Sequence, residues 1–393
     1  MPPLQNTSSF DVDIHYNFLS EINALLQDIS NLTDIEIIMN MRKAAATLGI
    51  GHTRVWHRHW AIPMRLSLLY KDNYTNEKSF VITEVRLGYE NLLGFKVLYI
   101  NDTRVQDIFE DMKDYLFVYK SNTTAKYAMA GSKMLVREFL YYFGAGNEND
   151  ARALLAGIDR YGNPIEIYLY FEYVEEINVN NEAETINIVD IANYTMLKNT
   201  RQDEPLWFEY FANYNVFYVR HSQLDTPAND FAASDFTVLV RNLRSAITDV
   251  GSTRAFVYDL RGNPGGFSAF AVENFIMWVS VPQNRELLGE IYVIIDSDTF
   301  SGGILLAVSW KNFVPGVTTI GSPAGGNTNV IGAMFMEETP NFGIVPRVPG
   351  MVYYTNPSIR FDQPLIPDIQ INHATLHNIL NGHDPVLYYI KNR

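Results

Sequence analysis

The chain has 393 residues, of which 47% are hydrophobic and 13% aromatic, enough to bury large cores in two or three domains. Its formal net charge of −14 argues against nucleic acid as a partner, because nucleic-acid-binding surfaces are basic. The absence of cysteine excludes disulfides, thiolate zinc sites and cysteine nucleophiles.

The sequence gives only weak indications of the protein's cellular compartment. No run approaches the ~20 apolar residues of a membrane-spanning helix, and the first residues lack the regions of a signal peptide. We expect an extracellular or periplasmic protein whose signal is not part of this chain, while a homo-oligomer is left open. Six N-glycosylation sequons mildly favour a secretory protein: Asn6, Asn31, Asn73, Asn101, Asn122 and Asn193.

Residues 1–62 are predicted to form an N-terminal helical segment. Apolar residues recur at helical spacing up to Ile29, and Thr33 is a good N-cap for a second amphipathic helix. That helix should end at 49–51, which places His52 in the first turn of an extended segment.

Residues 63–125 resemble a PDZ module. Two strand-like runs (81–85 and 96–100) are followed by an Asn-Asp turn and an amphipathic helix from Val105. In PDZ domains a peptide adds a strand to a sheet edge. A generic αβ insertion is the alternative.

Residues 126–204 are predicted to be a connecting region, helical over 125–160 and strand-rich over 164–200. Residues 205–393 are predicted to form the core. Two strands should flank an Asn-rich turn at 205–221, and an amphipathic helix should follow at 230–250. Short buried strands then alternate with helices, which predicts parallel strand pairs. The predicted segments are Ala255–Asp259, Ala269–Val279, Ile291–Asp296, Gly302–Trp310 and Thr318–Gly321.

Three glycine-bearing turns follow the core strands. We name them the first (DLRGNPGG, 259–266), second (DSDTFSGG, 296–303) and third (GSPAGG, 321–326) glycine turns. Because parallel strands end at one sheet edge, the three turns should cluster there, on the usual ligand side.

The second glycine turn presents Ser301 between a strand and a helix. A serine nucleophile needs a base and backbone N–H groups for the oxyanion, and free N–H groups occur at a helix N-terminus. The alternative is that Ser301, or Thr299, is only an N-cap. Asp259 and Arg261 could likewise be a structural ion pair.

Taken together, the DLRGNPGG, TFSGG, GSPAGG and IPDIQI motifs resemble the C-terminal-processing (tail-specific) serine protease family. The resemblance is strong over 205–393 and weaker over 45–120. It implies an α/β (α+β mixed) fold with a crotonase-like ββα-spiral core, and a serine endopeptidase acting on a polypeptide. It further implies Ser301 as nucleophile, with oxyanion N–H groups from Gly302 and from Gly265 or Gly266.

The general base of this chain differs from that of many family members, which carry a lysine in the third glycine turn. Here the matching position is close to Asn327, and Lys311 lies inside a predicted helix. The resemblance is therefore to the tricorn-core-like branch, in which a histidine from an early Gly-His turn acts. It implies His52 as general base, with Asp362 as the orienting carboxylate and Asp368 as second choice.

The sequence leaves open functions other than peptide hydrolysis. His57 and His59 would share a strand face, but no acidic or thiolate ligand is near, so we predict no metal and no cofactor. A catalytically inactive peptide- or lipid-binding protein on the same scaffold is the main alternative. An esterase is disfavoured because Ser301 lacks a G-x-S-x-G context.

Overall fold

The structure is a computed structural model. It describes residues 10–57, 59–70, 77–118, 121–174, 185–192, 196–201, 204–224, 233–266, 270–336, 345–353, 363–371 and 375–393. The chain divides into two compact units. The first comprises 1–68, 79–187 and 331–352, and the second 69–78, 188–330 and 353–393. The domain boundaries drawn from the sequence, including the PDZ-like module, remain predictions.

The α-helices are α1 (Phe10–Asp28), α2 (Asp34–Thr47), α3 (Val105–Met112), α4 (Thr123–Lys133), α5 (Arg137–Tyr142), α6 (Ala233–Val250), α7 (Phe270–Ser280), α8 (Pro282–Arg285), α9 (Gly302–Phe313), α10 (Leu376–Leu380) and α11 (Pro385–Lys391). The strands are β1 (Arg54–Trp56), β2 (His59–Ala61), β3 (Met64–Tyr70), β4 (Lys78–Arg86), β5 (Lys96–Ile100), β6 (Thr103–Arg104), β7 (Arg152–Ile158), β8 (Pro164–Tyr170), β9 (Glu172–Val174), β10 (Thr185–Asn187), β11 (Leu206–Phe211), β12 (Val216–His221), β13 (Ala255–Asp259), β14 (Glu290–Ile295), β15 (Val317–Gly321), β16 (Val330–Met336), β17 (Val345–Tyr353) and β18 (Ile369–Gln370).

The first unit begins with the two predicted helices. Thr33 is the N-cap of α2, and a capping box forms because Glu36 N–H donates to Thr33 Oγ1 while the Glu36 carboxylate accepts from Thr33 N–H. The predicted cap is confirmed.

The main sheet of the first unit has the strand order β10-β4-β5-β7-β8, with β3 on β4 and β6 on β5. The strands predicted at 81–85 and 96–100 and the helix from Val105 are confirmed. The prediction of helix throughout 125–160 was wrong, since Arg152–Ile158 forms β7. Its alanine and leucine residues favour helix locally, but pairing with strands on both sides overrides that weak preference.

The second unit is built on a six-stranded sheet of order β11-β12-β13-β14-β15-β18. Strands β11 and β12 are antiparallel, as in a hairpin, and every other pair is parallel. The predicted parallel α/β core is confirmed.

Both faces of this sheet are covered. Along β13, Phe256 and Tyr258 pack into a cluster with residues of α6, α7 and α9, whereas Ala255 and Val257 pack into a cluster with residues of α11. Alternate side chains of a strand point to opposite faces, so burial on both sides explains the continuous apolar runs seen in the sequence. Among the described helices, none is both long and apolar enough to cross a membrane.

Candidate functional site

The three glycine turns meet at one edge of the sheet of the second unit. Gly262 N–H donates to Asp296 Oδ1 at 2.8 Å, and Thr299 Oγ1 donates to the Leu260 carbonyl at 2.9 Å. Gly325 N–H donates to the Thr299 carbonyl at 3.0 Å. The clustering predicted from the parallel strands is confirmed, and the second turn lies between the other two.

Ser301 has a backbone conformation that residues with a side chain rarely adopt. Its φ is 49° and its ψ is −119°, whereas Asn215, with φ 50° and ψ 47°, is in the ordinary left-handed region. Ser301 occupies the N-cap position of α9, yet its hydroxyl makes no cap hydrogen bond. Such strain costs about 1–3 kcal/mol and is found mainly at functional sites. The interpretation of Ser301 as merely an N-cap is therefore not supported.

The first glycine turn packs directly against Ser301. A Cβ built on Gly265 would lie 2.8 Å from Ser301 Cβ and 2.6 Å from Gly302 N, closer than such atoms approach. Phe300 N–H donates to the Asn263 carbonyl at 2.9 Å, which joins the two turns. Since Gly265 has a φ of 98°, both its conformation and its surroundings exclude a side chain.

Two backbone donors beside Ser301 have no acceptor within the described part of the chain: the N–H groups of Gly302 and Gly266. Gly302 begins α9, where the first N–H groups have no intrahelical acceptor. A Cβ on Gly302 would lie 3.2 Å from Gly266 N, so the two glycines are neighbours. Gly265 N–H, in contrast, donates to Asn263 Oδ1 at 2.9 Å.

A buried ion network supports the first glycine turn. Arg261 Nε donates to Asp259 Oδ1 at 3.0 Å, and Arg261 Nη2 donates to Asp384 Oδ2 at 2.8 Å. All three residues are buried. The predicted Asp259–Arg261 pair is confirmed, whereas the third partner was missed, because nothing in the sequence links a turn to a helix cap so far away.

The network should make stability depend on pH. Burial acts to raise the pKa of Asp384, but the charge and hydrogen bond of Arg261 outweigh it and lower that pKa. The same opposition lowers the pKa of Asp259 to about 2. The stabilisation is thus present above the ordinary carboxyl pKa of about 4 and is lost as pH falls towards about 2.

We expect Asp384→Asn to lower the free energy of unfolding by about 3 kcal/mol at pH 7, because it leaves part of a buried charge uncompensated. Asparagine still caps a helix, so α11 keeps its cap. Urea unfolding at pH 7 and pH 3 measures the effect, with the exposed Asp249→Asn as control. The difference from wild type should shrink at pH 3, and a difference independent of pH would contradict this account.

Of the two carboxylates predicted to orient His52, Asp368 is the one among the described residues. Asp362 lies outside the described residues, so its role stays a prediction. Asp368 Oδ1 accepts from Lys311 Nζ at 2.6 Å, while its Oδ2 accepts from Thr319 N–H and Oγ1, both at 2.8 Å. Asp368 therefore joins β15 to the start of β18, a structural role, and Lys311 is engaged in the same ion pair.

The predicted base belongs to the first unit. His52 is buried and lies in the turn between α2 and β1, where Thr53 N–H donates to the Ile50 carbonyl at 3.0 Å. His57 and His59 follow, with their ring centroids 5.6 Å apart. Within the described ranges, no group of three histidine, aspartate or glutamate side chains is arranged to hold a metal ion.

Sequence reasoning missed two residues that shape the site. Asn263 bridges the first two glycine turns through its carbonyl and its side chain. Leu224, whose N–H donates to the Gly265 carbonyl at 3.3 Å, places its Cδ1 2.6 Å from where a Cβ of Gly302 would be. Asparagine directly before Pro-Gly-Gly favours a turn, which was a usable signal for Asn263, but Leu224 carried none.

No protein-family model matches the sequence, and no curated protein matches it. The structure is similar to the crystal structure of mature CPAF, with a TM-score of 0.64 and 13% identity over 97% of this chain and 91% of that chain. For mature CPAF complexed with lactacystin the TM-score is 0.61, with 13% identity over 95% and 91%.

A third similar structure is that of a photosystem II D1 C-terminal processing protease, with a TM-score of 0.38 and 12% identity over 97% of this chain and 100% of that chain. The TM-scores of the two CPAF structures are high enough for a shared fold. The predicted mixed α/β fold, and the structural resemblance drawn from the motifs, are confirmed.

Proposed function

We propose that this protein is a serine peptidase that hydrolyses peptide bonds through an acyl-enzyme formed on Ser301. The observation that carries the proposal is the strained Ser301 backbone at the start of α9, with a hydroxyl that does not cap the helix. Strain at one serine, held by tight packing of two glycine turns, suits a nucleophile better than a structural residue. The shared fold with CPAF, a serine protease, adds support.

In the proposed reaction His52 is the general base. Its neutral imidazole accepts the Ser301 Oγ proton as Oγ bonds to the substrate carbonyl carbon. The C–N bond then breaks, and the leaving amine takes that proton from the imidazolium. Water, deprotonated by the same imidazole, hydrolyses the acyl-enzyme. Asp362 is our proposed orienting group for His52.

The oxyanion would be stabilised by Gly302 N–H and Gly266 N–H. The sequence left Gly265 and Gly266 as alternatives. We favour Gly266, because Gly265 N–H is already bonded to Asn263 Oδ1. Donors that are fixed before reaction stabilise developing charge at little reorganisation cost.

A fluorophosphonate probe tests the proposal. The wild-type protein should be labelled, and peptide mapping should place the adduct on Ser301. We expect His52→Ala to slow labelling by roughly 10²–10⁴-fold, the usual contribution of a general base. The exposed His377→Ala is the matched control and should label at the wild-type rate.

The outcomes separate the alternatives. A protein that is folded, binds peptide and is never labelled would support the inactive binding protein. Labelling at a serine other than Ser301 would reject the proposed nucleophile, and unchanged labelling of His52→Ala would reject the proposed base.

A further inference from the structure

The first unit contains a buried arginine whose charge is not compensated. Arg42, on α2, is only 2% exposed. Its Nη1 donates to the Val55 carbonyl at 2.6 Å, but its Nε and Nη2 have no acceptor within the described part of the chain. Burial, and then repulsion by Arg54, lower the pKa of Arg42 to about 9, so the guanidinium remains charged at neutral pH.

The unpartnered atoms of Arg42 form one edge of the guanidinium. Nε–H and an Nη2–H point in parallel along that edge, at the spacing of two carboxylate oxygens, and such bidentate pairs are among the strongest charge-assisted hydrogen bonds. Phe117 and Phe139 hold the group in an apolar setting, with ring centroids 4.3 and 4.8 Å from Arg42 Cζ. The guanidinium is therefore fixed and shielded from bulk water.

The described side chains whose pKa values Arg42 lowers are all bases: His57, His59 and Lys133. His57 is buried, and both of its ring nitrogens also have no partner among the described residues. Burial, followed by repulsion from Arg42, lowers the pKa of His57 to about 2. Burial and the charges of Arg42 and Arg54 lower the pKa of Lys133 to about 7. No carboxylate among the described residues contributes to any of these shifts.

An unpartnered buried donor costs about 1–3 kcal/mol, and more when the group is charged, so a cluster of this kind needs a further partner. A water molecule could accept a hydrogen bond from Arg42, but it would leave the charge uncompensated. An anion satisfies both the donors and the charge. A carboxylate places one oxygen on each N–H of the edge, whereas a halide offers a single atom to both.

We propose that Arg42, together with His57 and Lys133, is a binding site for a small carboxylate, for which formate is the smallest probe. Arg42 holds both carboxylate oxygens through Nε and Nη2, and the bound anion favours the protonated form of Lys133. All of these residues belong to the first unit, so the site does not depend on the proposed peptidase activity.

Thermal unfolding of the full chain in sodium formate, sodium chloride and sodium phosphate at equal ionic strength tests the proposal. Formate should raise Tm along a saturating curve, by roughly 3 °C at ten times its Kd. Chloride and phosphate should lack that saturating rise. Equal effects of all three salts, or a larger effect of phosphate, would overturn the proposal.

Arg42→Lys keeps the charge but loses the bidentate edge, and it should weaken formate binding at least about tenfold. Arg152→Lys is the matched control, because Arg152 is an exposed arginine of the same unit that stacks on Tyr168. A formate effect that survives Arg42→Lys would place the ligand elsewhere.

A measurement on the wild-type protein keeps the proposal testable if Arg42→Lys does not fold. In a sample labelled with ¹⁵N-arginine, saturating formate should shift the Nε–H resonance of a single arginine strongly downfield. If no arginine side-chain resonance shifts, or several shift slightly in proportion to salt, the proposal is wrong.

Discussion

Replacing Ser301 with alanine should abolish peptide hydrolysis, with kcat falling by a factor on the order of 10⁶, as expected when the nucleophile of a catalytic unit is removed. In the proposed mechanism the acyl-enzyme forms on Ser301 Oγ, so neither substrate binding nor the oxyanion donors would restore turnover. Hydrolysis of an unfolded protein substrate under single-turnover conditions measures the loss. Ser280→Ala is the control, since that exposed hydroxyl donates only to the Met277 carbonyl.

The strained backbone of Ser301 leads to a second expected result, which concerns stability to unfolding. Glycine adopts positive φ without the penalty of a Cβ, so Ser301→Gly should be more stable to unfolding than Ser301→Ala by about 1 kcal/mol. Both variants should be inactive. A Ser301→Ala protein with substantial residual turnover, or a glycine variant less stable than the alanine variant, would contradict the assigned role and conformation.

Replacing Gly265 with alanine should remove activity and destabilise the protein. The new methyl group would overlap Gly302 N and Ser301 Cβ, and the residue would be held at a φ of 98°. Positive φ and overpacking together should lower the free energy of unfolding by about 2–5 kcal/mol. We expect kcat/KM to fall at least about 10³-fold, because small displacements of reacting groups have large effects on rate. Denaturant unfolding and steady-state kinetics measure the two losses.

Gly262→Ala is the matched control. Gly262 is in the same turn and has a φ of 68°, but the nearest atom to a Cβ there is Arg220 Nη2, at 3.7 Å. It should show only the cost of positive φ, about 1–2 kcal/mol, and retain most activity. If both variants lose activity equally, the loss reflects a damaged turn and not the contact with Ser301.

The sequence was sufficient to predict the core of the second unit and the position of Ser301. Buried parallel strands are short, apolar and followed by glycine turns, so β13, β14 and β15 and the edge where they end could be inferred from local pattern. The strained conformation of Ser301 could not be inferred from local pattern, because it is imposed by Gly265 and Asn263, which pack from a neighbouring turn.

Two other features could not be predicted from local sequence patterns. Strand β7 contradicts the helical preference of its own residues and exists because β5 and β8 pair with it. The hydrogen-bonded pair of Arg261 and Asp384 joins a turn to a helix cap, and neither motif carries a sign of the other. Both depend on pairings between segments distant in sequence, which periodicity does not report.

The pairing of Arg261 with Asp384 also affects when the first glycine turn is stabilised during synthesis of the chain. The two residues are 123 positions apart, and a growing chain presents Arg261 first. At 5–20 residues per second, Asp384 follows after about 6–25 s. Until then the buried guanidinium lacks one of its two anions, and the first glycine turn beside Ser301 lacks that support. If the proposed peptidase activity depends on this turn, Ser301 gains that support only once Asp384 has been translated.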